Sequence, residues 1–150
     1  MQYKVGPHLT LFCRIPFLDG SLDDEDRSKG QQPIFFQHRD GPILPTLKFV
    51  HQFPDLGWTS VTVDKGAIPF ILGGAHIMCP GLTNPGGQMP TDEVLEVNRG
   101  VVIMAEGKDH AIAVGTMKLS SKNIREKNKG IGIEVAHYLG DGLFQTSVIY

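Results

Sequence analysis

Cysteine is scarce in this sequence: Cys13 and Cys79 are the only two in 150 residues. That is too few for a disulfide framework and too few for a thiolate zinc site. The scarcity fits a reducing, cytoplasmic setting. An excess of one charge is missing as well. Lys and Arg total 14 against 16 Asp and Glu, a formal net charge of −2, and 41% of the residues are hydrophobic. A disordered chain would need few core-formers and a large charge imbalance, so this chain folds. Long apolar runs are absent too. No window approaches the roughly 18 uninterrupted apolar residues of a membrane span. The opening MQYKVGPHLTLFCRIP has no apolar block followed by a small-residue cleavage site. The expectation is a protein that neither spans a membrane nor carries a visible secretion signal.

Turn-formers are plentiful, with 18 Gly and 10 Pro, which favours many short elements and a β-rich fold. A chain of this length buries roughly two-thirds of its unfolded surface, enough for one core or two small ones sharing an interface. Residues 1–60 read as a small irregular unit. The run Leu9–Phe17 reads as a strand ending at Pro16, and the acidic segment 19–32 (DGSLDDEDRSKGQQ) reads as a surface loop because it has almost no core-former. Ile34, Phe35 and Phe36 form a second strand, and Arg39, Asp40 and Gly41 supply a turn. Pro45 opens a short helix whose Leu47, Phe49 and Val50 face the core, and Pro54 closes it.

A boundary is placed at residue 60, giving units 1–60 and 61–150. Asp64 is a natural cap for a helix running toward Leu72, with Gly73 and Gly74 ending it. Pro69 would break that helix at an interior position, so the helix either kinks or begins near Ile68. Val101–Ala105 and Ala111–Met117 form a hairpin, and their nearly continuous apolarity implies that both faces are covered. Ser120 or Ser121 caps a short helix that Gly130 ends. Ile131, Ile133, Val135 and His137 then alternate with Gly132, Glu134 and Ala136 along a final strand. The turn Gly140-Asp141-Gly142 precedes the segment Leu143–Tyr150. The order and brevity of these elements suit a small mixed barrel better than a doubly wound sheet.

Enzymatic patterns are missing. No strand leads into a G-x-G-x-x-G, and no G-x-x-x-x-G-K-[ST] occurs, so no nucleotide cofactor is expected. His76 and Cys79 stand three residues apart, but Cys79 beside Ile77 and Met78 reads as a small buried hydrophobe. The remaining histidines sit singly, so no metal is expected, and pairs such as Asp92 and Glu93 lie in loops where solvation explains them. No catalytic residue is named. One charge run does stand out. Lys118, Lys122, Arg125, Lys127 and Lys129 meet only one anion, Glu126, between residues 118 and 129. It is either a solvated helix face or a surface for a polyanion.

Three segments carry a resemblance. VDKGAIPFILGGAHIMCPGL at Val63–Leu82, VVIMAEGKDHAIAVGTMKLS at Val101–Ser120 and NKGIGIEVAHYLGDGLF at Asn128–Phe144 resemble the PUA domain in the version carried by malignant-T-cell-amplified-sequence proteins. FFQHRDGPILPTLKFVHQFP at Phe35–Pro54 is similar to that family's N-terminal domain. The resemblance runs from about Gln32 to Phe144. It implies an α+β protein: a small N-terminal α/β domain, then a PUA-type mixed β-barrel of about six strands with two short helices. It also implies a non-catalytic RNA-binding translation factor. Such proteins act on the small ribosomal subunit, its rRNA and tRNA, in tRNA release, reinitiation or non-standard initiation. Their partner is density-regulated protein, which bears a SUI-type domain. The family pattern leads one to expect a shortened N-terminal domain here, an insertion at 19–32 and a first PUA helix reshaped by Pro69.

In PUA domains RNA lies against the first helix, the glycine loop after it and the last strand. Carried onto this chain, that implicates Asp64, Lys65, Gly66, Gly73, Gly74 and His76, with Lys129 nearby. The cations Lys118, Lys122 and Arg125 join them as candidate RNA contacts on grounds of charge. Met78, Cys79, Pro80 and Leu82 are expected in core and turn. An RNA-modifying enzyme that uses the barrel to select substrate would need more than the 60 residues upstream. A protein-interaction module whose basic helix never touches RNA stays open.

Overall fold

The computed structural model describes residues 2–4, 7–13 and 32–146. The expected acidic loop, apart from Gln32, the end of the first expected strand beyond Cys13 and the tail 147–150 lie outside the described residues. Four strands, β1 (Gln2–Lys4), β2 (Leu9–Cys13), β3 (Pro33–His38) and β4 (Ile43–Pro45), form an antiparallel sheet in that order. Helix α1 (Leu47–Gln52) follows. Pro45 does not open this helix. It ends β4, an edge strand where a missing N–H breaks no ladder. Thr46 is the cap, because it has the acceptor that proline lacks: its Oγ1 takes the Phe49 N–H at 3.3 Å and donates to the Pro33 carbonyl at 3.0 Å. Leu47 and Val50 are buried, whereas Phe49 stays half-buried against Phe35 and Trp58, with ring centroids 5.3 and 5.8 Å away.

The second sheet has five strands, β5 (Ser60–Val63), β6 (Ile77–Met78), β7 (Gly100–Ala105), β8 (Ala113–Met117) and β9 (Ile131–Tyr138). Their order is β5-β7-β8-β9-β6, with β5 and β7 parallel and the other pairs antiparallel. Strands β5 and β6 are its edges and do not pair, so the expected barrel of about six strands is instead an open half-barrel of five. Its helical pieces also outnumber the expected two: a 3-10 turn (Lys65–Ala67), α2 (Ile68–Leu72), α3 (Cys79–Thr83), α4 (Ser121–Lys127) and α5 (Gly142–Gln145). Asp64 caps only the 3-10 turn. Of the two outcomes open for Pro69, the helix starts at Ile68 and holds the proline in its first turn, where no N–H is needed. Pro80 sits likewise in the first turn of α3.

Two apolar clusters share the half-barrel wall. Val61, Val63, Ile71, Ile77, Leu82, Ile103, Met117, Ile124 and Ile133 fill its interior. Leu11, Phe36, Leu44, Leu47 and Val50 from the N-terminal sheet and α1 pack on Val102, Ala111 and Val114 on the outside. The hairpin β7–β8 is therefore apolar on both faces because each face meets a different core.

Simple alternation along β9 fails at one place, and for a visible reason. Val114 pairs with His137 but Gly115 pairs with Val135, so Ala136 is a bulge residue. The extra residue turns His137 away from the interior that holds Val135 and onto the face shared with the N-terminal sheet. Gly115 is needed opposite it: an added Cβ would lie 2.3 Å from the Glu134 carbonyl oxygen.

Ser120 caps α4 through its Oγ, which accepts the Asn123 N–H at 3.2 Å. The helix stops at Asn128 rather than Gly130, because the left-handed residue directly after Lys127 is Asn128, at φ 46° and ψ 38°, and asparagine tolerates that conformation. Ser120→Ala is expected to lower stability by about 1 kcal/mol. A urea-unfolding midpoint that falls at unchanged slope would show it.

Candidate functional site

At its open side the half-barrel presents a groove of about 490 Å³, lined by Asp64, Gly66, Phe70, His76, Met78 and Ile131 among others. The local sequence explains why it is open. Helix α2 is the apolar pentapeptide Ile68-Pro69-Phe70-Ile71-Leu72, and one turn and a half cannot bury every side chain; Ile71 goes inward while Phe70 is left 69% exposed. Across the groove Met78 pairs with Ile131 in the β6–β9 ladder, and these two are 51% and 40% exposed. A mostly apolar wall thus faces solvent.

Its polar groups are fixed. The Asp64 carboxylate accepts the Ala67 N–H and the Asn84 side-chain amide, each at 3.0 Å, and its own N–H donates to the Gly81 carbonyl. Asp64 therefore shapes the loop. His76 Nδ1 accepts the Val135 N–H at 3.0 Å, which requires the proton on Nε2 and leaves that N–H as the ring's donor. Gly66 is exposed, and an added Cβ would meet only the Asp64 carboxylate, in ordinary contact at 3.7 and 4.0 Å. Here a ligand can approach the backbone closely. The backbone N–H of Lys65 is held by Glu106 at 3.0 Å while its side chain is exposed.

The other two glycines serve the helix end. Gly73 closes α2 through bonds to the Pro69 and Phe70 carbonyls, and Gly74 adopts φ +92° beside the Tyr138 hydroxyl. The residues bordering the groove do not include them.

The cations divide. Lys118 pairs with Glu134 at 3.7 Å, and Arg125 folds back to donate to the Pro90 carbonyl at 2.8 Å and the Met89 carbonyl at 3.4 Å. Lys122 and Lys129 are exposed, and their ammonium groups have no hydrogen-bond or ion-pair partner among the described residues. Lys129 stands two residues from Ile131 of the groove wall, and its carbonyl accepts the Cys79 thiol at 3.5 Å.

His76 and Cys79 do not pair. The ring is bound to β9, and burial pushes the Cys79 thiol above its ordinary value, against the pull of the Lys129 carbonyl bond. A buried thiol of that kind is no nucleophile. Met78, expected in the core, belongs to the groove wall instead, because the β6 register aims Ile77 inward and Met78 out. Sequence reasoning missed Phe70, Met78 and Ile131. The signal available for Phe70 was five apolar residues in a helix too short to bury them.

The described residues contain no group of three or more His, Cys, Asp or Glu able to hold a metal, nor any helix long and apolar enough to cross a membrane. The PUA domain model matches residues 59–139, and a Pre-PUA-like domain model matches residues 28–54. The chain belongs to the PUA domain family. Malignant T-cell-amplified sequence 1 homolog of Drosophila melanogaster is 54% identical over 77% of this chain and 62% of its own length. Translation machinery-associated protein 20 of Schizosaccharomyces pombe is 53% identical over 75% of this chain and 61% of its own. The chain thus spans about three-fifths of the length of these curated relatives. A solved structure of a hypothetical protein from the hyperthermophilic archaeon Pyrococcus horikoshii superposes with a TM-score of 0.63 at 26% identity. That match covers 78% of this chain and 69% of the archaeal one. The fold is α+β, a PUA half-barrel bearing a small N-terminal sheet and helix.

Proposed function

We propose that the protein is a translation-associated RNA-binding factor that acts without catalysis. It works on the small ribosomal subunit, in the cytoplasm, in tRNA release, reinitiation or non-standard initiation. A SUI-domain partner similar to density-regulated protein supplies the affinity that a lone PUA unit lacks. Residues 1–60 and 61–150 act as its two units. The names of the two curated relatives, one of them translation machinery-associated, support the setting. The observation that carries the reading is the groove: an apolar wall of Phe70, Met78 and Ile131, the exposed Gly66, the free donor of His76, and the exposed Lys65 and Lys129, next to and two residues from lining residues in the chain.

An apolar wall repels phosphate but accepts the face of an unpaired base, while lysines at the rim meet the flanking phosphates. Of the candidate contacts, Asp64, Gly73, Gly74, Lys118 and Arg125 serve the fold first. Lys65, Gly66, His76, Lys122 and Lys129 are the ones free to touch RNA. With Lys65, Lys122 and Lys129 meeting phosphates, the log of affinity for single-stranded RNA falls with the log of salt concentration with a slope of about −2. So weak a grip at physiological salt is why a partner is needed to join a second interaction to the first.

The test is capture of small ribosomal subunits from cell extract by the full chain and by a Lys122→Glu, Lys129→Glu variant. Loss of the subunits, together with a flattened salt slope on purified RNA, is the expected result. Undiminished capture by the variant would favour a protein-interaction module and overturn the RNA reading. Arg125 is left out because reversing it would also break its bonds to residues 89 and 90.

A further inference from the structure

Two histidines bridge the N-terminal unit and the half-barrel, and they bridge it with opposite polarity. His137, on β9 and 1% exposed, receives the Leu47 N–H on Nε2 at 3.1 Å, a bond between residues 90 apart that caps the start of α1. A backbone N–H only donates, so Nε2 is a bare lone pair. Its Nδ1 faces both oxygens of Asp141 at 2.8 and 2.9 Å, and a carboxylate without a proton only accepts, so Nδ1 carries the proton. Asp141 is itself held by the N–H groups of Tyr138 and Phe144 at 3.0 and 2.8 Å. The Phe36 ring closes the site edge-on, with centroids 5.5 Å apart. His51, on α1, bonds the Ala111 carbonyl through Nε2 at 2.8 Å. There the acceptor is the carbonyl, so the histidine is the donor.

We propose that His137 is a proton-released latch: neutral, it fastens the N-terminal sheet and α1 to the half-barrel, and on taking a second proton it lets them go while the half-barrel stays folded. The second proton has one place to go, Nε2, where it would point at the Leu47 N–H. Donor would face donor at a buried ring, and the helix start would lose its acceptor. Protonating His51 leaves its bond intact, because that ring donates in either state. The charged and titratable groups around the latch are Asp141 on its own turn and His51 from α1. Further out lie Lys48 of α1 over the Phe144 ring at 5.2 Å, His110 against His51 at 5.5 Å and His38 beyond Phe36 at 6.4 Å.

Burial holds His137 below its ordinary value of 6.5, outweighing Asp141, which pulls it up; His51 adds to the downward push. The sign follows from linkage. The latch's contribution is complete above the unfolded value and is lost as pH falls through the lower folded value.

The interface has its own reporter. Trp58 is the only tryptophan and borders a cleft of about 200 Å³ with Val50 of α1 and Met104 and Ala111 of the barrel side. On the full chain between pH 7.5 and 4.5, Trp58 emission is expected to shift to the red. After correction for the slower intrinsic exchange in acid, the protection factor of the Leu47 amide should fall by up to about tenfold per unit of pH between the unfolded and the lower folded value of His137, while the amides of Ile103 and Ala113 stay protected. His137→Gln should lack this step, and His51→Gln should keep it. Nitrogen NMR of the wild-type ring gives an independent check at pH 7.5: the Nδ1–H tautomer is expected. An Nε2–H tautomer, the same acid step in His137→Gln, or barrel amides opening together with Leu47 would each overturn the latch.

Discussion

Phe36→Ala is expected to destabilise the protein by about 3–5 kcal/mol. The ring is fully buried at the centre of the outer cluster, with Leu11, Leu44, Leu47 and Val50 around it and its edge contact to His137. Truncation removes the transfer free energy of the ring and leaves a cavity between two sheets that are tied elsewhere by hydrogen bonds and cannot simply collapse. For a chain whose whole stability is about 5–15 kcal/mol, this is a large fraction. The loss should be uneven. The interior cluster contains no residue of the N-terminal sheet, so urea unfolding followed by Trp58 should move to much lower concentration, while the circular dichroism of the half-barrel moves less. A shift below about 1 kcal/mol on the Trp58 signal would mean that the N-terminal sheet is not held by this contact.

Much of this arrangement was legible from residue order, and the failures have local causes. The β7–β8 hairpin could be read because its two faces are both apolar, and the pair of cores behind it explains that pattern. The start of α2 was narrowed to two possibilities by Pro69, since proline restricts a helix in a predictable way. The end of α4 was misplaced because Asn128 took the left-handed position that Gly130 was expected to hold. The bulge at Ala136 was invisible: a period of two carries no sign that one residue will be skipped, and it moved His137 from one face to the other. The groove was half-visible. Its loop residues announced themselves by type, as glycine, aspartate and histidine do, but its wall is ordinary hydrophobic residues. What makes Phe70, Met78 and Ile131 special is the absence of a neighbour over them: α2 is too short to bury Phe70, and the β6–β9 register turns Met78 outward beside Ile131, which no residue type announces.

Phe70→Ala is expected to weaken binding of single-stranded RNA by about 5- to 150-fold, the equivalent of the 1–3 kcal/mol that stacking on one aromatic ring contributes. Because the ring is mostly exposed and only lies along the groove, the change in folding stability should stay within about 0.5 kcal/mol, so loss of binding cannot be blamed on loss of fold. The salt slope should not change, since no phosphate contact is removed. Replacing Lys65 and Lys129 together by glutamine should do the reverse, flattening the slope by about 1.4 while stacking persists. Fluorescence anisotropy of a labelled oligonucleotide across a salt series separates the two. If Phe70→Ala and the lysine pair gave the same signature, ring and cations would be acting as one electrostatic surface and the apolar wall would have no part in recognition. If duplex RNA bound as tightly as single strands and lost nothing with Phe70, the groove would be reading backbone shape instead of an unpaired base.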